Sequence, residues 1–459
     1  MEANKPSVEY SYVVMRFDDR NRYGQNGVPA NILFSGGHRV VVYMKEDTLL
    51  KAGKRNRFAK VIVKPSGEEG ELVELLGPVG DYKAELEAYQ LVYGLKPCKY
   101  PKPNAWGLTP ASPNERLDCT HLHVFSVDNP GTRDIDDALS LEIIPVAEGA
   151  LQQFVLGIHV ADVAARVPTS SPLFAWASVR CASAYHGGIS EELHGGSIPM
   201  LPPQLAHDEL SLNEGVDRTA VSLFLTIEGT TITSHYHART MLRNCHATNY
   251  AAFGAQAADS GSGSSPAGLE AELTVRTLLC ALSGEHEPED LVAWTMIQYN
   301  SYFGNLLAEK AGKGPAAVAG LLRHQGEAGV AAVYAFAVPG GGLRHESLNL
   351  TNYAHCSSPI RRYADLHNQH ALFDSLDATA DAGALDDHRL AAVNGRVATL
   401  AQYHARVDTM ELAYRCREAP TIFSGRVEAD NDNEGLHGTS LLVYTEKRRV
   451  RVPLHDNFF

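Results

Sequence analysis

The sequence predicts an α+β protein in which a central mixed α/β domain is flanked by small β-barrels. Three observations carry this expectation. Residues 9–80 read as short β segments separated by turns, residues 111–410 alternate apolar strands with helices, and residues 423–453 return to short β segments. A chain of 459 residues holds two to four domains at roughly 150 residues each. We place them at 1–95, 116–415 and 416–459, with a connector at 96–115.

In the first domain, Tyr12–Phe17, Arg39–Met44 and Phe58–Val63 have strand composition, and Gly36-Gly37 and Ser66-Gly67 supply turns. Lys51, Lys54, Arg55, Arg57, Lys60 and Lys64 put six cations within fourteen residues of an otherwise acidic chain. An OB-type barrel gripping a phosphate backbone accounts for them; the alternative is a solvated edge strand that discourages aggregation. A helix over Asp81–Tyr93 follows, and the Pro-rich run 96–103 closes the domain.

The central domain opens on Val127-Asp128-Asn129-Pro130-Gly131-Thr132-Arg133-Asp134-Ile135-Asp136-Asp137-Ala138, four carboxylates in ten residues around a Pro-Gly turn. His121–Val127 and Ala138–Ile143 read as strands on either side. Such a corner aims Asp128 from one arm and Asp134, Asp136 and Asp137 from the other at one point. Ionised carboxylates that close repel one another, and a hard divalent cation relieves the repulsion. We therefore read a Mg²⁺ site; the alternative is a solvated acidic turn. The order of acids, without Asp-x-Asp-x-Asp-Gly and the later Glu, disfavours an EF-hand.

Further along, Phe154–Val160 is a buried-type strand ending at Ala161-Asp162, where His159 and Asp162 are read as structural hydrogen-bonding residues rather than ligands. A helix over 172–184 leads to Tyr185, and Ile198–Pro203 is rigid linking backbone. The low-complexity run 255–268 is a flexible insertion without chemistry. A helix starting near Pro288 carries the apolar stripe Leu291, Val292, Thr295, Met296, Tyr299, Phe303, Leu306 and Leu307. In Tyr353–Leu366, Ser358 is placed to cap a helix beginning at Pro359, with Arg361 and Arg362 in its first turn. Cations are unfavourable at that end of a helix, so the pair implies an anionic partner such as a phosphate, or else ordinary ion pairs to acids such as Asp365.

Composition excludes several classes. Hydrophobic content of 44% and charged content of 20% are those of a globular protein. A net charge of −14 argues against whole-surface attraction to nucleic acid and leaves room for a local basic channel. Seven scattered cysteines without a CxxC pair imply a reducing compartment, no zinc ribbon and no disulfide framework. No apolar run approaches the ~18 residues of a membrane span, and no secretory leader is evident. The expected location is cytoplasmic, with the nucleus as the alternative.

Asp128–Ala138, His159–Val163, Ile198–Pro202, Ser211-Leu212 and Ser358–Leu366 stand in the order of the ribonuclease II (RNB) family, five ordered matches across about 240 residues, and the chain resembles a shortened member. Leu75–Asp81 with its following helix is similar to the end of that family's cold-shock-type OB domain. The resemblance implies an RNB-type central catalytic domain flanked by OB-like domains, acting as a monomeric 3′-to-5′ exoribonuclease. Such an enzyme threads single-stranded RNA to a buried site, cleaves by a two-metal mechanism and releases nucleoside 5′-monophosphates. It implies Mg²⁺, with Mn²⁺ as a substitute, held by Asp128, Asp134, Asp136 and Asp137. By the resemblance Asp136 would be the carboxylate most directly tied to catalysis, and Arg361 would contact the scissile phosphate beside Arg362. Tyr185 packs against the terminal nucleotide, and Tyr250 matches a second tyrosine near the 3′ end.

The sequence departs from the family in three places. Val292-Ala293-Trp294-Thr295-Met296 stands where the family has Val-x-Glu-x-Met, so Trp294 replaces an acid that holds the terminal nucleotide; an indole only donates, which puts sugar discrimination in doubt and leaves stacking. The region between this helix and Tyr353 is short, and one N-terminal OB-like unit is evident where relatives carry two. The tail through Lys447-Arg448-Arg449-Val450-Arg451 resembles an abbreviated C-terminal OB domain, placing basic charge at both ends. Trp294 and the shortening also fit a catalytically weak RNA-binding scaffold or regulator.

Overall fold

The protein, as a computed structural model, is described over residues 10–17, 23–24, 26–48, 54–110, 116–186, 196–255, 267–312, 319–373, 385–418, 426–428, 440–444 and 449–453. Strands β1 (Ser11–Met15), β2 (Gly27–Ile32), β3 (Arg39–Tyr43), β4 (Arg57–Val63) and β5 (Glu69–Pro78) close into a barrel in the order β1-β2-β3-β5-β4. Alternation selects its interior: Val13, Met15, Val28, Ala30, Val40, Val42, Ala59 and Val61 turn inward and form one buried cluster. Helix α1 (Tyr82–Val92) is capped by Asp81, whose carboxylate accepts the Ala84 N–H at 2.9 Å, and packs Ala84 and Ala88 against Phe58. Of the six-cation cluster, Lys51 lies outside the described residues. Lys60 Nζ stands 3.8 Å from the Tyr10 ring centroid, and Lys64 pairs with Glu69 at 2.9 Å.

The central sheet has the order β12-β9-β8-β7-β13-β6, built from β6 (Leu117–Asp118), β7 (Val124–Asp128), β8 (Asp137–Ile144), β9 (Gln153–Ala161), β12 (Asp217–Glu228) and β13 (Thr231–Asn249). The 19-residue β13 pairs antiparallel with β12 and then, from Asn244 to Asn249, parallel with β7, so the sheet curls back on itself. Between β9 and β12 lie α2 (Pro172–Arg180), β10 (Ala184–Tyr185) and β11 (Ser197–Ile198). The helix expected over 172–184 therefore ends early. Cys181 takes a φ of +63°, which breaks the helical ladder and frees Ala184-Tyr185 to pair with β11.

Helices α3 (Tyr250–Ala255), α4 (Ala267–Ser283) and α5 (Pro288–Lys310) cover the sheet; most of the low-complexity run 255–268 lies outside the described residues. The α5 stripe packs as its spacing requires, with Leu291, Val292, Tyr299, Phe303 and Leu307 joining Phe125, Leu139, Ile158 and Val221 of the sheet in the main core. Gly304 lets α5 lie against the chain at Asn352, because a Cβ there would meet the Asn352 carbonyl oxygen at 1.9 Å. Then come β14 (Leu321–His324), β15 (Val333–Phe336), β16 (Arg344–His345), β17 (Leu350–Thr351), α6 (Tyr363–Phe373) and α7 (Asp387–Glu418).

The chain divides into two compact units, 1–405 and 406–459, at a point inside α7. In the second, β18 (Arg426–Glu428), β19 (Ser440–Tyr444) and β20 (Arg449–Pro453) form a three-stranded antiparallel sheet in that order. Lys447 and Arg448 of the basic tail lie outside the described residues. No described helix is long and apolar enough to cross a membrane.

Candidate active site

The acidic corner forms where β7 ends and β8 begins. Asp128 is the last residue of β7 and Asp137 the first of β8; Asp134 and Asp136 lie on the connecting loop. Gly131 turns that loop with a φ of +85°, a conformation open to glycine, and Thr132 N–H closes it on the Asn129 carbonyl at 3.1 Å. Three anchors fix its far arm. Ile135 N–H donates to Ser211 Oγ at 2.9 Å, Leu212 N–H donates to the Ile135 carbonyl at 3.0 Å, and Ala161 N–H donates to the Asp136 carbonyl at 2.8 Å. Ser211-Leu212 and Ala161 thus act as backbone supports for the aspartates.

Asp136 is buried and directed at the second motif. Its Oδ1 accepts the Ile360 N–H at 2.8 Å and its Oδ2 accepts Arg361 Nε–H at 3.1 Å. Burial drives its pKa well above the carboxylate range, against the attraction of Arg361. Burial disfavours the charge on Arg361 in turn, but Asp136, Tyr185 and Asp137 hold its pKa above the ordinary arginine value. Asp128 and Asp137 form a pair: burial and then Asp137 raise Asp128 to about 7, while burial raises Asp137 to about 6 against Arg361 and Arg362.

The helix expected from Pro359 begins instead at Tyr363. Ser358–Arg362 forms a tight turn, with the Arg361 and Arg362 N–H groups on the Ser358 carbonyl at 3.3 and 2.9 Å. Backbone N–H groups of this turn have carboxylate partners: Ile360 donates to Asp136, and Ser358 donates to Asp365 Oδ1 at 2.8 Å. Arg362 follows the ion-pair alternative, bonding Asp365 at 2.8 Å, while Arg361 keeps a side chain 40% exposed.

Tyr185 reaches the same place from β10. Ser183 N–H donates to the Arg361 carbonyl at 2.9 Å and Tyr363 N–H to the Cys181 carbonyl at 2.9 Å, so the segment before Tyr185 runs paired with the arginine turn. The Tyr185 hydroxyl donates to Asp134 Oδ2; burial and then the charge of Asp134 push the phenol up. Tyr250 follows Asn249, which pairs in register with Asp128, and burial, then Asp137 and Asp128, raise it to about 12. Trp294 lies on α5, half-buried against the main core. His159, between Ser140 Oγ at 2.9 Å and Ser222 Oγ at 2.7 Å, is a structural residue, as is Asp162 between Arg116 at 2.8 Å and Arg239 at 2.9 Å.

The four aspartates do not converge as expected on a single point: among the described residues no three ligating side chains close on a common centre. Asp136 is turned into Ile360 and Arg361, and Asp134 takes the Tyr185 hydroxyl. The donor set nevertheless suits Mg²⁺. All are hard oxygens, and the raised pKa values of Asp128 and Asp137 mark a buried pair short of positive charge. One supporting residue escaped the sequence reading. Buried Asn300 of α5 accepts Cys356 N–H at 2.7 Å and donates to Tyr353 and Ser357, holding the approach to Ser358. Its one signal was a polar residue beside the apolar stripe of α5.

A curled mixed sheet sets buried aspartates against an arginine-bearing turn, with a five-stranded barrel ahead of it, an RNase R-like architecture. The chain carries an RNB domain and is a homologue of the RNase R/II family of exoribonucleases, the RNB domain matching residues 116–283 and 326–378. It is 31% identical to Ribonuclease R of Chlamydia pneumoniae over 187 residues, 39% of this chain and 26% of that protein. It is 30% identical to DIS3-like exonuclease 2 of Xenopus tropicalis over 192 residues, 40% of this chain and 22% of that protein. The aligned stretch is therefore well under half the length of these relatives. Mycoplasma genitalium RNase R, solved with ribose-methylated single-stranded RNA, superposes with a TM-score of 0.72 at 16% identity, covering 98% of this chain and 82% of that one. Yeast Ssd1, a pseudonuclease, superposes with a TM-score of 0.68 at 16% identity, covering 98% and 66%. At that identity these likenesses show the fold alone.

Proposed function

We propose that the protein is a Mg²⁺-dependent 3′-to-5′ exoribonuclease that hydrolyses single-stranded RNA to nucleoside 5′-monophosphates. The observation that carries this reading is the clasp of Asp136 on both Ile360 N and Arg361 Nε, which joins the acidic loop to the arginine turn. Arg361 clamps the scissile phosphate through the guanidinium N–H groups left by Asp136 and by Ser358 Oγ, which takes Nη2 at 2.9 Å, and these two bonds set the plane of that guanidinium. Tyr185, and Tyr250 beside Asp128 and Asp137, present aromatic faces to the terminal bases, a grip that tolerates any sequence. Asp128, Asp134 and Asp137 would hold Mg²⁺, with Asp136 at their inner edge. When bound, Mg²⁺ supplies activation of water and neutralisation of the leaving oxygen. Water oxygen bonds to phosphorus, the bond from phosphorus to the 3′ oxygen breaks, and that oxygen takes up a proton. The products are a nucleoside 5′-monophosphate and a shortened strand with a 3′ hydroxyl.

A second reading, an RNA-binding scaffold or regulator of weak activity, draws support from the likeness to Ssd1 and from Trp294. The test is to incubate 5′-labelled single-stranded RNA with the protein, with and without Mg²⁺, beside Asp136→Asn. A Mg²⁺-dependent ladder of 3′-trimmed products from the parent alone supports the enzyme. RNA binding without trimming by either protein favours the scaffold.

A further inference from the structure

Tyr185 meets the acidic corner, and the residue after it is held by two helices that lie away from that corner. Tyr185 keeps 36% of its surface open to solvent, so its own packing does not fix it. His186 is 8% exposed, and its N–H continues the β10–β11 pairing by donating to the Gly196 carbonyl at 2.8 Å. Successive side chains of extended backbone point to opposite faces, so a clamp on the His186 ring sets the direction of the Tyr185 ring.

The clamp has two jaws. From the barrel side, buried Gln90 of α1 brings its amide nitrogen to His186 Nε2 at 3.0 Å. An amide nitrogen only donates, so Nε2 accepts and the neutral ring carries its proton on Nδ1. From α7, the fully buried Tyr403 accepts that Nδ1–H on its hydroxyl oxygen at 2.9 Å, the two rings meeting edge to face with centroids 6.0 Å apart. The next residue of α7, His404, accepts the Tyr185 N–H on Nε2 at 3.3 Å. Tyr403 and His404 thus hold His186 and Tyr185 in turn. The jaws are also joined to each other: the ring of Tyr93, which follows α1, lies 5.7 Å from that of Tyr403, and Arg396 of α7 donates to the Tyr93 carbonyl at 2.6 Å. Gln90 Oε1 is buried with no hydrogen-bond partner. An apolar side chain of that size would avoid the cost, so the bond to His186 is what accounts for an amide there.

We propose that His186 is a positioning residue, which transmits the docking of α1 against α7 to Tyr185 and so keeps the Tyr185 hydroxyl on Asp134. The barrel domain then shapes the site through Gln90, and loss of the α1 contact loosens Tyr185. As a statement about turnover, this rests on the reading of the protein as an exoribonuclease.

The test compares His186→Leu, Gln90→Leu, Tyr403→Phe and His186→Asn with the parent, each in a Tyr185 and in a Tyr185→Ala background. His186→Leu, which removes both ring bonds, is expected to lower kcat/KM for RNA trimming by about tenfold, near the worth of one hydrogen bond to a charged group, and the two partner variants by part of that factor. His186→Asn keeps a donor for Tyr403 and should recover part of the loss. In the Tyr185→Ala background none of them should cost more than about twofold, because the residue they act through is gone. Equal factors in both backgrounds would assign these residues to the fold alone and overturn the proposal. Where His186→Leu does not fold, Gln90→Leu and Tyr403→Phe carry the same comparison. Should the parent trim no RNA, the exoribonuclease reading fails first, and the proposal is judged without turnover. Fluorine NMR then follows meta-fluorotyrosine incorporated at position 185, in chelator and without RNA. Asp134→Asn marks where the resonance falls when the bond is altered. Gln90→Leu and His186→Leu must move the parent resonance toward that position, and an unmoved resonance overturns the proposal.

Discussion

Asp136 and Arg361, 225 residues apart in sequence, meet with Nε 3.1 Å from Oδ2, and the backbone N–H of Ile360 completes the contact on Oδ1 at 2.8 Å. Asp136 is almost fully buried, and desolvation drives its pKa well above the carboxylate range against the attraction of this arginine. Function and stability pull in opposite directions at such a residue.

Asp136→Asn tests that opposition. The amide oxygen can still accept the Ile360 N–H, while the buried charge is removed. In chelator the variant should melt at or above the parent's temperature, and its trimming of RNA with Mg²⁺ should fall on the order of 100-fold or more, as for loss of one preorganised electrostatic partner. Thermal melts and single-turnover rates measure both. A variant that melts well below the parent would show that Asp136 serves the fold first.

Tyr185→Phe separates ring from hydroxyl. The ring proposed to stack on the terminal base remains, while the hydrogen bond to Asp134 is lost. Affinity for RNA should stay within about twofold of the parent, and the maximal rate should drop by about tenfold, near the net worth of one hydrogen bond to a charged group. Tyr185→Ala should raise KM as well. Equal KM effects in both variants would assign the tyrosine to a structural role alone.

How legible the site was in sequence can be argued from these residues. The acidic corner was legible because its determinants are local: strand composition on both sides, a Pro-Gly turn, and carboxylates too close to coexist without a partner. The barrel was legible in part for the same reason, since strand composition marks β1, β3 and β4, whereas β2 and β5 were not read as separate strands. The start of α6 was not. Ser358-Pro359 satisfies every local rule for a helix start, but the Ile360 N–H is taken by Asp136, 224 residues away, and the Ser358 N–H by Asp365. Tertiary carboxylates replaced the helical ladder there, and no local window contains them. The bond of Tyr185 to Asp134 was not legible either, since it follows the unusual backbone of Cys181 that ends α2.

Buried histidines set an acid limit on stability. Burial lowers His159 to about 3 and His370 to about 4, while in the unfolded chain a histidine titrates near ~6.5. Between those values the unfolded state binds more protons, so stability rises with pH. The contribution is complete above the unfolded pKa and is lost as pH falls from there toward 4. Each group adds up to ~1.4 kcal/mol per pH unit to the slope. His370→Gln, placed to keep the donor to the Val167 carbonyl now 2.9 Å away, should flatten the dependence between pH 6.5 and about 5 by close to one group's share, as read by urea melts. An unchanged slope would mean that His370 is not held neutral.

On the proposed function, Trp294 bears on whether the protein reads the sugar. Its indole can donate one hydrogen bond and accept none, so it cannot take the ribose 2′-hydroxyl proton as a carboxylate does. The side chain packs half-buried against the main core, so its replacement bears on stability as well as on any contact with RNA. Two effects of Trp294→Glu follow from that position. Loss of the packed ring should destabilise the protein by about 1–3 kcal/mol, below the range for a fully buried tryptophan. Preference for RNA over DNA should rise, because the new carboxylate rewards only a 2′-hydroxyl. The parent, by the same argument, should trim a DNA oligonucleotide at a rate within about tenfold of the matched RNA, since discrimination then rests on stacking and phosphate contacts common to both. Matched oligonucleotides, compared by initial rate for parent and variant, decide the point: complete refusal of DNA by the parent would place sugar recognition on residues other than position 294.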